Sequence, residues 1–514
     1  MSVEEPLASS IPPDRSGVES MSEQTLRTRV VTGVAWMVLF KLIDRGLGFI
    51  SVLVLARLLV PSDFGLVAMA TAVMGLLELF SAFSFDVALI GNRNLTRDHY
   101  DTAWTMNVMA GVAIALLIWS LAWPAGIFYH EPRLTPMLLV LGLASAVQGT
   151  ENIGVVMFRR ELNFRKEFMF LVLKRMSSII IVIPAAYMLR SHWALIIGLL
   201  SGRVISVALS YGIHPYRGRF CMRARAELLG FSGWMLVNNM LSFLKERSPD
   251  FIIGRTLGAG PLGLYGMAVE IANIPTSELS GPLNRALLPG YAAVQNRGSA
   301  LQQAYLNSLG STALFVVPAG FGLLAVAADL ISLLLGDRWT QSVPVLQIMS
   351  MHGMMMALQA IGYTVMLASN RPHIPARVSA VHVTIIIVLL ITLTPSLGIV
   401  GGALAYLGTA LLMTPVMYFF VLQALQLRVS RVLGVLWRPF CAALAMTAVI
   451  WAVRTQLWAP PRETFLQLLA EVAIGLVTYL GALLLLWTLT GRGPGAERLA
   501  VDQIRLRIAM RRVK

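Results

Sequence analysis

Residues 28–59 read TRVVTGVAWMVLFKLIDRGLGFISVLVLARLL. The stretch is long and apolar enough to cross a bilayer as a helix, yet Lys41, Asp44 and Arg45 stand in its middle. A helix starting at Thr28 carries Lys41 roughly 20 Å along its axis, near mid-membrane. Lys41, Asp44, Arg45 and Gly48 have the i, i+3, i+4, i+7 spacing and share one stripe. An ionised side chain facing lipid costs several kcal/mol, so the stripe is expected to face a polar cavity or a buried partner. Two cations beside one anion leave it positive, which suits a negative ligand.

The rest of the chain fits this reading. Of its 514 residues 57% are hydrophobic and 13% charged, and apolar runs of about 20 recur along it. The fold class expected is an all-α polytopic membrane protein. The net charge of +15 does not mark a nucleic-acid binder, because the arginines lie between apolar runs, as positive-inside topology requires. Cys221 and Cys441 are far apart and the seven histidines are scattered, so neither a disulfide framework nor a metal site is expected. Gly258-Ala259-Gly260 lacks a P-loop lysine. No catalytic residues and no cofactor are expected.

Fourteen spans are predicted. Residues 1–27 read as a disordered cytoplasmic tail, rich in Ser, Pro and Glu and without a signal-peptide core. Six spans fall in 28–213 (an N-lobe), six in 228–424 (a C-lobe) and two in 425–490. A basic linker at 214–227 separates the lobes, and a basic tail at 491–514 ends the chain. The stretch Arg159 to Lys166, with Phe164, Phe168 and Leu171 at helical spacing, reads as a helix on the membrane surface. Arginine clusters occupy alternate connections, which puts both termini on the cytoplasmic side.

The sequence also repeats. Trp36-Met37 recurs as Trp234-Met235, and Ala56 to Ala70 aligns with Gly254 to Ala268, both at an offset of 198 residues (234 minus 36). A period that long duplicates a six-helix lobe rather than a solenoid unit. An even number of spans per copy gives both the same orientation, as in parallel-repeat transporters with a central cavity.

The seventh span then partners the first and carries Lys245, Glu246, Arg247 and Asp250, with Pro249 expected to kink it. Candidate substrate-binding residues in the central cavity are therefore Lys41, Asp44, Arg45, Lys245, Glu246, Arg247 and Asp250. The alternative is static neutralisation of the cations by Asp44, Glu246 and Asp250. Glu78, Asp86, Glu270 and Glu278 are candidates for ion coupling, with inter-helix hydrogen bonding as the alternative. The methionines at 349, 351 and 354–356 read as helix packing.

Three stretches carry a family resemblance: Gly33-Val34-Ala35-Trp36, the turn from Ala56 to Leu66, and Arg160-Glu161-Leu162-Asn163-Phe164-Arg165. They are similar to the polysaccharide-transport branch of the MOP exporter superfamily, and within it the chain resembles Wzx-type lipid-linked oligosaccharide flippases. The resemblance implies two six-helix lobes, alternating access, a bacterial inner membrane and a cationic cavity for an undecaprenyl-diphosphate-linked glycan. Its implied partners are that lipid-linked glycan, membrane lipids and other polysaccharide assembly proteins. Two other classes make different demands on the sequence. A membrane glycan polymerase or ligase would place catalytic groups in a large external loop, and this chain has only short ones. An exporter of small cationic drugs would carry an acidic cavity, whereas the first span is net positive.

Overall fold

A computed structural model of the chain describes residues 23–79, 89, 96–224, 233–295, 297–456 and 465–491, with no strand among them. The chain packs as two compact units, Met1–Gly260 and Pro261–Lys514. The chain is thus a helical, multi-pass membrane protein. Among the described residues nine helices are long and apolar enough to span, or ten counting one bent pair.

Unit 1 begins with α1 (Glu23–Leu58), which starts ahead of Thr28. Pro61 opens α2 (Pro61–Leu79) at a position where its missing N–H is no loss, and it bars Val60 from helical geometry. Asp63, 5% exposed, fixes this turn: its carboxylate accepts from the Val60 N–H at 3.2 Å and from the His192 N–H at 2.9 Å. The α1–α2 turn is thereby tied to the start of α7 (Trp193–Ile213).

Helix α3 (Arg97–Tyr129) ends on left-handed His130, and α4 (Leu134–Gly149) returns beside it. Their closest approach is Gly111 against Gly149, where an added Cβ on Gly111 would sit 2.9 Å from the Gly149 Cα. After α4 the chain bends by 61° into a short 3-10 turn and α5 (Val156–Arg160). Asn152, 1% exposed, holds that bend. Its Oδ1 accepts from the Gly154 N–H at 2.9 Å, and its own N–H donates to Ser210 Oγ at 3.0 Å. Its amide nitrogen donates to the carbonyls of His214 at 3.2 Å and Tyr216 at 2.8 Å.

Helix α6 (Phe164–Leu189) corrects one expectation. Phe164 and Phe168 do not form a separate surface helix. Phe164 lies over Gly33, and Phe168 meets Trp36 with ring centroids 4.8 Å apart, so this face is half-buried against α1. The aromatic rings find protein partners, which removes the reason to seek the lipid interface. Helix α8 (Gly233–Leu257) packs on α2 and α3 and completes this unit.

Residues 214–224 cross the start of α3 as a strap. Tyr216 Oη donates to Asp101 at 2.5 Å, the Arg219 N–H donates to the same carboxylate at 3.2 Å, and the Cys221 N–H donates to Thr105 Oγ1 at 3.0 Å. Gly218 lies on the Trp104 ring, where a Cβ would come within 2.3 Å. Burial and the Asp101 carboxylate push the Tyr216 phenol well above its usual range, so it remains a donor. His214 accepts the Tyr216 N–H on Nδ1 at 3.1 Å. Burial, Lys166 and Arg217 hold its pKa below the usual imidazole value. The folded strap therefore favours neutral His214. Its contribution is full above about pH 6.5 and is lost as pH falls through the lowered value. Hydrogen exchange of residues 214–224, corrected for intrinsic rates, should be faster at about pH 5.5 than at about pH 7.5. Equal protection at both would count against the His214 contact as a stabiliser.

Unit 2 holds most of α9 (Ala259–Val294) and is built around α10 (Gly298–Leu334), which packs on α11 (Val343–Ala368), α13 (Val429–Gln456) and α14 (Phe465–Leu489). Tyr305, Leu309, Val316, Met354, Ile361, Met417 and Ala442 share its core, and Met351 and Met355 pack against it. On α12 (His373–Leu425), Gly398 takes φ 61° and ψ −143° and divides the run in two. Arg454 of α13 reaches Asp329 of α10 at 2.9 Å. Outward residues of α14 such as Leu466 and Val477 are over 70% exposed, as a lipid-facing surface requires.

Candidate functional site: a charged cavity within unit 1

A cavity of about 1020 Å³ lies among α1, α2, α3, α4, α5, α6 and α7. Its wall combines apolar surface with charged and polar side chains. Arg175 of α6 forms an ion pair with Asp44 of α1, its Nε 3.1 Å from a carboxylate oxygen. Gly48, one turn beyond Asp44, makes the approach possible: a Cβ there would sit 2.5 Å from Arg175 Nη2. Arg203 of α7 reaches Glu78 of α2 at 2.8 Å and Ser145 of α4 at 3.0 Å. Arg159 pairs with Glu167, whose carboxylate is buried. Glu151, at the bend after α4, accepts from Gln148 and from Ser206 Oγ, the latter at 3.0 Å. Lys174, Asn107 and Ser178 complete the polar lining, and Phe40 and Phe170 supply rings.

Two of the residues expected at the site reach this cavity. Asp44 and Glu78 line it; Lys41 is exposed on α1 and Arg45 half-buried, and neither is in the wall. Lys245, Arg247 and Asp250 are half-buried on α8 and Glu246 is exposed. Arg247 and Asp250 pair one turn apart at 3.0 Å. Glu270 is exposed on α9, while Asp86 and the side chain of Glu278 lie outside the described residues. Sequence reasoning missed Arg175, Lys174, Arg203 and Arg159. Arg203 stands in the middle of α7, and a mid-span cation is the same signal that marked Lys41. Among the described residues no cluster of His, Cys, Asp and Glu is arranged to hold a metal ion.

The profile of a family described as "Polysaccharide biosynthesis protein" matches residues 54–344, more than half of the chain. The lipopolysaccharide biosynthesis protein WzxC of Escherichia coli (strain K12) is 23% identical over 438 residues, covering 84% of this chain and 88% of that one. The succinoglycan biosynthesis transport protein ExoT of Rhizobium meliloti (strain 1021) is 26% identical over 330 residues, covering 64% and 67%. Among solved structures, the lipid II flippase MurJ in an inward closed conformation superposes with a TM-score of 0.72 at 13% identity, over 88% of this chain and 99% of that one. An inward-facing multidrug resistance MATE transporter of the MOP superfamily gives 0.55 at 12% identity. That likeness is one of fold. With the family match spanning most of unit 1 and running on into unit 2, this chain is a member of the polysaccharide biosynthesis protein family.

Proposed function

We propose that the protein flips an undecaprenyl-diphosphate-linked oligosaccharide repeat unit across the bacterial inner membrane by alternating access, for exopolysaccharide or lipopolysaccharide assembly. It acts as a transporter and makes or breaks no covalent bond. The observation that carries this reading is the cavity: a partly open space of about 1020 Å³ with ion pairs in its wall, set among membrane helices in a chain of this family. A glycan cannot cross hydrocarbon with its hydroxyls unsatisfied. A cleft open to one side and then the other carries the head group while the polyprenyl tail stays in lipid. In this reading the chain has fourteen spans, both termini cytoplasmic and two lobes related by the 198-residue repeat. Lys41, Arg45, Lys245 and Arg247 meet the diphosphate, and Glu78, Asp86, Glu270 and Glu278 are candidates for coupling to an ion.

Reconstituted protein should move lipid-linked oligosaccharide from the inner to the outer leaflet of vesicles, and a wild-type protein that moves none would end the proposal. Arg45→Ala should lose charge-assisted hydrogen bonds, about 1.5–3 kcal/mol each, which is roughly a tenfold to hundredfold loss of affinity. Arg45→Lys should fall between, because charge survives and the bidentate fork does not. The partner that the structure gives Asp44 is Arg175. Folded Arg45→Ala protein that flips normally would leave Arg45 as scaffold.

A further inference from the structure

We propose that the cavity of unit 1 seats sugar rings of the transported glycan and is not the site of its diphosphate. This rests on the reading of the chain as a glycan flippase and assigns one part of the substrate to one place. The first argument is charge. Among the described lining residues, Asp44, Glu78, Glu151 and Glu167 stand with Arg159, Lys174, Arg175 and Arg203, four carboxylates with four cations. A diphosphate needs surplus positive charge, and here it would have to strip guanidinium groups from carboxylates already paired at 2.8 Å and 3.1 Å. The cost is greatest at Glu167, whose buried carboxylate would be left without Arg159.

The second argument is the form of the polar surface. A sugar hydroxyl both donates and accepts, so it is met best where donors and acceptors alternate. Each ion pair presents both. Arg203 spends one nitrogen on Ser145 and one on Glu78, and Glu151 is held by the neutral donors Gln148 and Ser206. Asn107 and Ser178 add uncharged groups of both kinds, and the half-buried ring of Phe40 offers a face for the C–H side of a pyranose. The third argument is size. A volume of about 1020 Å³ stands at the top of the ~300–1,000 Å³ range of small-molecule pockets, with room for more than one ring.

The test uses full-length protein in lipid nanodiscs with Cys221→Ser and Cys441→Ser, and Ser178→Cys as a reporter in the cavity wall. A maleimide labels the reporter. One probe is the diphosphate-free oligosaccharide released by mild acid from the lipid-linked repeat unit of the source cells; the other is inorganic pyrophosphate. The oligosaccharide should slow labelling about fivefold or more at millimolar concentration, and pyrophosphate should not. Protection by pyrophosphate, or by neither probe, overturns the assignment. A second measurement separates affinity for sugar from affinity for the carrier. Gln148→Leu should raise the KM for flipping about tenfold and leave inhibition by glycan-free polyprenyl diphosphate unchanged; a parallel loss of that inhibition overturns it as well. Wild-type flipping that persists while these results fail removes the sugar assignment alone, whereas absent wild-type flipping removes the parent reading.

Discussion

Gly65→Ala is expected to be among the most damaging single-methyl changes in the protein. Gly65 is buried near the start of α2, where the chain from Ala259 crosses it. A Cβ added there would lie 1.7 Å from the Ala259 carbonyl oxygen, and its three nearest atoms are all Ala259 backbone, so no side chain can rotate away. The α8–α9 turn must move instead. Overpacking costs about 1–3 kcal/mol where side chains can adjust, and this site should stand at or above the upper end. For a unit of this size that is a fall in Tm of roughly 6–12 °C. Gly46→Ala is the control. Nothing lies within 4 Å of its Cβ position, and alanine is the better helix former by about 0.5–1 kcal/mol. The comparison is made by thermal unfolding in detergent. A Gly65→Ala protein as stable as the Gly46→Ala protein would show that α2 and the α8–α9 turn are not held in contact.

Asn152→Ala should follow closely. The side chain caps the 3-10 turn at Gly154 and donates to His214 and Tyr216 carbonyls, all at a residue 1% exposed. Losing it leaves buried groups unsatisfied at about 1–3 kcal/mol each, so a total of about 3 kcal/mol or more is expected. Asn152→Asp, almost the same shape, should be worse. It presents an acceptor and a negative charge to two carbonyl oxygens that need a donor. The effect should also reach the cavity, because Gln148, Glu151, Asn152 and Val155 are all in its wall. Thermal unfolding and flipping should decline together in both variants, with Asp below Ala. The reverse order would mean that the bend is held by packing and not by this amide.

The helices were largely legible because hydrophobic length and proline position are local properties. The spanning run of residues 28–59 could be read residue by residue, and α1 covers all but its last residue. The cavity was only half legible. Asp44 and Glu78 stood out as carboxylates inside apolar runs, but their partners Arg175 and Arg203 lie 131 and 125 residues away along the chain (175 minus 44, 203 minus 78). Helical spacing reports which residues share a face. It does not report which face of another helix comes opposite. Phe164 and Phe168 were misassigned for the same reason, since an amphipathic face looks alike whether its cover is lipid or α1.

The strap bears on how such genes exchange parts. The duplicated sequence suggests a crossover point in the basic linker, yet residues 214–224 are hydrogen-bonded to α3, and α8 packs on α2. A chimera joined in that linker would marry α2 from one parent to α8 from another, with the tight fit of Gly65 on Ala259 at the seam. A chimera joined between Gly260 and Pro261, where the compact units meet along the chain, inherits the cavity, the strap and this fit from a single parent. Recombination can thus pass on the cavity together with the strap and the Gly65 fit as one inherited block, provided the exchange falls beyond α8.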